Sequence, residues 1–241
     1  MADATPMLAI DGLVSWYGKV EVVSAVTLHA MPGETVALLG RNGAGKSALM
    51  RTILGLTPPV RRAGSVKLDG HEITGLPTHA IARLGIGMAP DDRKIFPHLT
   101  VAENLVLAQK LTAPGREPRR LDEIYAMFPL VAELRRRGGA GLSGGEQKLL
   151  AIARAAIQRP RVLMLDETSE GLSPVMVQEL VAVIHRLQAE GITMLTADQN
   201  LRFCSKIAER GYVLERGRIV FSGSIADFWA KVEAGEMSLM N

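Results

Sequence analysis

Cysteine is nearly absent: Cys204 stands alone among 241 residues, which excludes an internal disulfide framework. Aromatic residues make up only 4%, too few for a base-stacking platform, so nucleic acid is not an expected partner. No run of about 18 apolar residues occurs, and with it goes any candidate membrane-crossing helix. Residues 1–6 hold neither a basic nor an apolar stretch, so a cytosolic setting without a secretory leader is expected. Charge of one sign is scarce as well. The net value is +3, and the basic clusters at 61–62, 116–120 and 135–137 are short enough to read as solvated faces. Internal repeats and low-complexity tracts are missing too.

What is present is concentrated in three strings. The first, Gly40-Arg41-Asn42-Gly43-Ala44-Gly45-Lys46-Ser47, has the form G-x-x-x-x-G-K-S. It follows the apolar run 35–39 and opens a helical pattern over 48–54, the setting a phosphate-binding loop requires. Its glycines let successive backbone N–H groups point inward at an anion, and the helix start adds its positive dipole end. Lys46 is expected to reach the β- and γ-phosphates, and Ser47 to place its hydroxyl on magnesium.

The second string, residues 161–167, has an apolar run ending in Asp166-Glu167. It reads as a buried central strand whose carboxyl end emerges beside the phosphate loop, where ligands collect in parallel sheets. There Asp166 would hold magnesium, directly or through water, and Glu167 would orient or deprotonate an attacking water. The third string is Leu142-Ser143-Gly144-Gly145-Glu146-Gln147. Its Ser-Gly-Gly helix start is a second anion site. One chain has no geometric use for two γ-phosphate cradles, so this one is expected to serve a nucleotide held by a second subunit.

Short β-like runs at 35–39, 161–165 and 192–195 alternate with helical patterns, which predicts an α/β fold with a mostly parallel sheet. Alternation over 7–30 predicts a small antiparallel edge sheet before the phosphate loop. A capping box at Thr100 starts a helix running to about 111, a second helix is expected over 120–136, and a third starts at Ser143. Three helices without an intervening strand imply a helical subdomain at about 91–158, with a loose connection at 112–118. The length suits one large domain or one domain with a lobed insertion.

The order of these strings resembles the nucleotide-binding subunit of ABC transporters over nearly the whole chain. More narrowly, residues 89–97, 101–105 and 198–200, with 210–215, are similar to ATPase subunits of importers for branched-chain amino acids and related amino acids, amides or urea. The resemblance implies a P-loop NTPase core forming a single nucleotide-binding domain over 1–241, with ATP and Mg2+ as ligands. It makes Tyr17 the aromatic that stacks on adenine, with Trp16 as the alternative. Asp91 falls where most members carry a glutamine that touches magnesium and γ-phosphate. Residues 169–172 occupy the loop that crosses between paired subunits, and Gln199 occupies the switch position usually held by histidine. Residues 40–48 and 143–146, Ala48 and Glu146 included, are implied nucleotide contacts.

These departures have consequences. Asp91 is short and anionic, so it is expected to meet magnesium through water. Gln199 can donate an amide hydrogen bond but carries no positive charge. Ala48 lacks the hydroxyl common at its position. Slowed or asymmetric hydrolysis is the expectation, and not a dead ATPase. The implied partners are a second ABC ATPase subunit, identical or related, transmembrane permease subunits and, indirectly, a periplasmic or extracellular solute-binding protein. The implied location is peripheral, on the cytoplasmic side of the plasma membrane. A permease helix would dock beside residues 91–96, where Ile95 and Phe96 offer apolar contact. The alternatives are a soluble ABC ATPase acting on nucleic acid or ribosomes, disfavoured by the single cassette and the lack of a heptad tract, and a non-hydrolysing nucleotide sensor, opposed by Glu167.

Overall fold

The computed structural model describes residues 5–113 and 115–236. Residues 1–4, where part of the leader expectation falls, and Pro114 of the loose connection lie outside them. In chain order the elements are β1 (Leu8–Tyr17), β2 (Val20–Ala30), β3 (Thr35–Leu39), α1 (Lys46–Ile53), β4 (Val60–Leu68), β5 (His71–Glu72), α2 (Thr78–Leu84) and β6 (Ile86–Ala89). They continue with α3 (Val101–Lys110), α4 (Leu121–Met127), α5 (Pro129–Glu133), a 3-10 turn at Gly139–Gly141, α6 (Gly144–Ala156) and β7 (Val162–Asp166). The chain closes with α7 (Pro174–Ala189), β8 (Thr193–Asp198), α8 (Leu201–Ile207), β9 (Arg210–Glu215), β10 (Arg218–Ser224) and α9 (Ile225–Glu233).

Two sheets result. The larger has strand order β10-β9-β3-β8-β7-β6, with β6, β7, β8, β3 and β9 parallel and β10 antiparallel at one edge. Its central strands β3 and β7 are buried along their whole length, as strands covered on both faces must be. Their side chains alternate between two apolar clusters: Ala37, Leu39, Leu163 and Leu165 enter one, and Val36, Leu38, Val162 and Met164 the other. The smaller sheet, β2-β1-β4-β5, is antiparallel. It includes the hairpin expected over 7–30, but β4 and β5 join it from beyond α1.

The helix expected over 120–136 is two helices. Phe128 sits at φ −125°, ψ 73°, ending α4 and opening α5. Pro129 causes the break, because its ring disfavours helical geometry in the preceding residue and it has no N–H to donate. The helix starts at Thr100 and Ser143 both carry complete capping boxes.

Candidate functional site

Backbone pairing in the larger sheet sets the frame of the site. Leu39 of β3 pairs with Asp198 of β8, and Ala197 of β8 pairs with Asp166 of β7, so three neighbouring strands end level. The loops that leave them carry the phosphate loop, Glu167 and Gln199. Adjacent strands lie about 4.8 Å apart, so the ends of β3 and β7 are about two strand spacings from each other, a gap that side chains reaching across can close.

The phosphate loop is held from behind. Gly217, in the turn between β9 and β10, donates its N–H to the Ala44 carbonyl at 2.8 Å. A side chain at Gly40 would put its Cβ 2.5 Å from the Leu214 carbonyl, and one at Gly45 would sit 2.6 Å from the Val22 carbonyl. Gly45 is the N-cap of α1 at φ 108° and provides no side-chain cap. The first N–H groups of α1 are therefore available to a bound anion. Arg41, Asn42 and Gly43 are exposed at the loop tip, whereas the Ala48 methyl is buried in the core, so Ala48 can offer an anion only its backbone N–H.

Lys46 is 2% exposed. Its ammonium donates to the carbonyls of Gly40 (2.9 Å) and Arg41 (3.1 Å) and pairs with Glu167 Oε1 at 3.1 Å. Ser47 Oγ donates to Asp166 Oδ1 at 3.0 Å. Burial pushes the Asp166 carboxyl up to about 6; the Ser47 hydrogen bond opposes this, the charges of Glu167 and Asp91 add to it, and Lys46 also opposes it. Carboxylate oxygens of Asp91, Glu167 and Glu170 lie within 4.8 Å of one another. A hydroxyl and several carboxylates, all hard oxygen donors, suit magnesium. Ser47 and Asp166 would hold the ion with Asp91 beside them, and it would neutralise triphosphate charge there.

Glu167 follows β7 with φ 47°, and its N–H donates to the Ala197 carbonyl at 2.8 Å. Asp91 is exposed and pairs with Lys148 at 3.7 Å. Gln199 is exposed in the bend between Asp198 and Asn200, the N-cap of α8. Asp198 is buried; it accepts from the N–H and Oγ of Ser169 at 3.0 and 2.8 Å, which fixes the loop at 169–172. Tyr17, 39% exposed, ends β1, and Trp16 is half-buried beside it. The hairpin they belong to touches the phosphate loop through Val22.

Ser143 forms a separate group. It is exposed, and among the described residues no hydrogen bond or ion pair joins it to the phosphate loop. Its Oγ accepts the Glu146 N–H at 3.3 Å while Glu146 Oε2 accepts the Ser143 N–H at 2.6 Å. The Ser143 hydroxyl proton stays available to a phosphate. The Glu146 carboxylate closes the helix cap and lies 3.5 Å from Arg137, and when ionised it has no donor of its own for a phosphate. The groups free to meet an anion at this helix start are the Ser143 hydroxyl and the N–H groups of Gly144 and Gly145.

Sequence reasoning missed two residues here. Arg93, at φ 61°, donates to Gln147 Oε1 at 3.1 Å and lies over Gly144. Lys148 is buried between the loops that follow β6 and β7. Its one sequence signal is a lysine on a stripe that continues as Ala151, Ile152 and Ala155, all buried. Ile95 packs inward on the core and Phe96 lies under the Arg154 guanidinium, 4.7 Å from its ring centre. The groove beside them, a cavity of about 450 Å3, is lined instead by Leu54, Leu56, Met88, Asp91, Asp92 and Lys94, among others.

A glycine loop opening an uncapped helix, with a buried aspartate hydrogen-bonded to its serine from a strand end two places away, defines a phosphate-loop nucleotide hydrolase. The chain belongs to the ABC transporter family, whose pattern matches residues 23–170, and it is an ATP-hydrolysing subunit of such a transporter. It is 39% identical over 214 residues, 89% of this chain and 91% of the relative, to the high-affinity branched-chain amino acid transport ATP-binding protein BraG of Pseudomonas aeruginosa. It is 36% identical over 221 residues, 90% of each chain, to the lipopolysaccharide export system ATP-binding protein LptB of Escherichia coli K12. Its fold is similar to that of MJ1267, an ATP-binding cassette of an ABC transporter, in the ADP conformation, with a TM-score of 0.80 at 24% identity covering 96% of this chain and 97% of that one.

Proposed function

We propose that this subunit energises the import of branched-chain or related amino acids, amides or urea. The observation that carries this reading is the 39% identity to BraG over nearly the whole of both chains, joined to the importer-like strings at 89–97 and 198–200. The proposed assembly holds a second ABC ATPase subunit and transmembrane permease subunits at the cytoplasmic face of the plasma membrane, with a solute-binding protein outside. Residues 1–241 act as one nucleotide-binding domain, with 91–158 as its helical subdomain. A permease helix docks in the groove lined by Leu54, Leu56 and Met88.

In this reading Tyr17 stacks on adenine and the N–H groups of residues 40–48 cradle the phosphates. The triphosphate competes for Lys46 with the Gly40 and Arg41 carbonyls and with Glu167, so binding releases the Glu167 carboxylate to accept a proton from water. Gln199 donates its amide to the γ-phosphate. Ser143, Gly144 and Gly145 grip the triphosphate held by the partner, and closure of the pair excludes water from the site. Loss of the γ-phosphate reopens it. A strain lacking this gene should lose uptake of labelled leucine or a related amide, and should regain it with the wild-type chain but not with Glu167→Gln. Unchanged uptake together with failed delivery of lipopolysaccharide to the cell surface would overturn the import reading.

A further inference from the structure

Among the described residues, Lys148 is the one buried ammonium outside the phosphate loop that reaches Glu167. It is 5% exposed and arises from the second turn of α6, the helix that begins at Ser143. Its ammonium donates to the Glu167 carbonyl at 2.7 Å and to the Glu170 carbonyl at 2.7 Å, and its remaining side faces Asp91 Oδ1 at 3.7 Å. An ammonium has three protons, and each is directed at a different part of the site: the residue after β7, the loop at 169–172, and the loop after β6.

The backbone of Glu167 gives this arrangement a purpose. A φ of 47° is strained for any residue that carries a Cβ, and such residues persist where their surroundings over-determine them. The Glu167 N–H is fixed by Ala197 from β8, and its side chain is turned toward Lys46. Its carbonyl is fixed by Lys148 alone among the described residues. With the carbonyl and N–H both tied, the backbone from which the carboxylate projects is held in place, and the side chain has only its own torsions with which to meet water.

We propose that Lys148 is a positioning residue for hydrolysis, clamping the strained Glu167 backbone and tying it to Asp91 and to the 169–172 loop. The inference rests on the reading of Glu167 as the residue that activates water. Among the described residues no hydrogen bond or ion pair joins Lys148 to the phosphate loop, so its removal should act on the chemical step and leave binding alone. A misplacement of a reacting group by about an ångström costs on the order of 100-fold in rate.

The test measures kcat and, separately, the Kd for ATP of the full chain in four forms: wild type, Lys148→Met, Lys148→Arg and Glu167→Gln. Lys148→Met keeps the length of the buried stem and removes the donors. It should lower kcat by roughly 10- to 100-fold with Kd for ATP changed less than about two-fold, and Lys148→Arg, which restores donors, should recover most of the rate. Should the methionine chain not fold, Lys148→Gln, shorter but still a donor, should show a smaller loss of the same kind. Wild-type kcat in Lys148→Met beside an inactive Glu167→Gln would overturn the inference while sparing the reading beneath it. A parallel loss of kcat and ATP affinity in every Lys148 variant would also overturn it, because that is what a merely structural lysine gives. Full turnover by Glu167→Gln would remove the parent reading and the inference together.

Discussion

Asp166 is costly to the fold in the form its function needs. Its carboxyl is raised from the ordinary 3.8 to about 6, chiefly by burial, so between roughly pH 4 and 6 the folded chain holds a proton that the unfolded chain has released. In that window stability falls as pH rises, and above it the buried charge weighs against folding by a constant amount. The displacement is equivalent to about 3 kcal/mol, an upper figure that solvent at the site trims to about 1–3 kcal/mol. Asp166→Asn removes the charge and keeps an oxygen to accept from Ser47 Oγ. Without magnesium at pH 7.5 this variant should melt higher than wild type by roughly 2–10 °C for a chain of this size. The gap should close as the pH is lowered toward 4. Addition of Mg-ATP should raise the melting point of wild type and leave that of the variant nearly unmoved. Calorimetry across this pH range decides the matter. An Asn variant that melts at or below the wild type at pH 7.5, or a gap that is the same at pH 4 and pH 8, would refute the argument that desolvation dominates this carboxyl.

Three further outcomes are expected. Glu167→Gln should bind ATP as wild type does and hydrolyse it about 10²–10⁴-fold more slowly; unchanged turnover would remove Glu167 from the chemistry. Gln199→His should leave the rate equal or higher, because an imidazole can add positive charge beside the γ-phosphate, and a collapse of activity would show that the amide is specifically needed. Ser143→Glu places a carboxylate where the partner's triphosphate would sit. It should spare ATP binding by the single chain and cut hydrolysis by about 100-fold or more, and a rate that stays at wild type would mean that the chain completes its site alone.

The parts of the molecule legible in the sequence are those where local chemistry and position coincide. The phosphate loop is marked by glycines at 40, 43 and 45 and by the apolar strand before it, and the structure needs Gly40 and Gly45 for the close approach of the Leu214 and Val22 carbonyls. The Ser143 and Thr100 helix starts were readable because a capping box is a contact between residues three apart. Pro129 was just as visible, yet the apolar periodicity across 120–136 hid the break it makes. Strands β4, β5, β9 and β10 were not singled out: β5 has two residues, β4 and β10 are largely exposed or half-exposed and weakly patterned, and β9 alone is a buried interior run, too short to tell from a helical segment. Lys148 could not be placed because its acceptors are backbone carbonyls 19 and 22 positions away, and nothing in an amino-acid string marks a carbonyl as an acceptor. The cap that Glu146 closes is legible for the same reason as the other helix starts, since its partner is Ser143, three residues away.

The level endings of β3, β8 and β7 have one more consequence. Spacing among the phosphate loop, Asp166 and Gln199 is ruled by the ladder of main-chain bonds, a gauge that all amino acids share, and owes little to which apolar side chains fill the interior. Such a layout lets the interior drift widely while its working distances hold still. It accounts for how a cassette with only 24% of its positions in common with this chain keeps the same fold at a TM-score of 0.80.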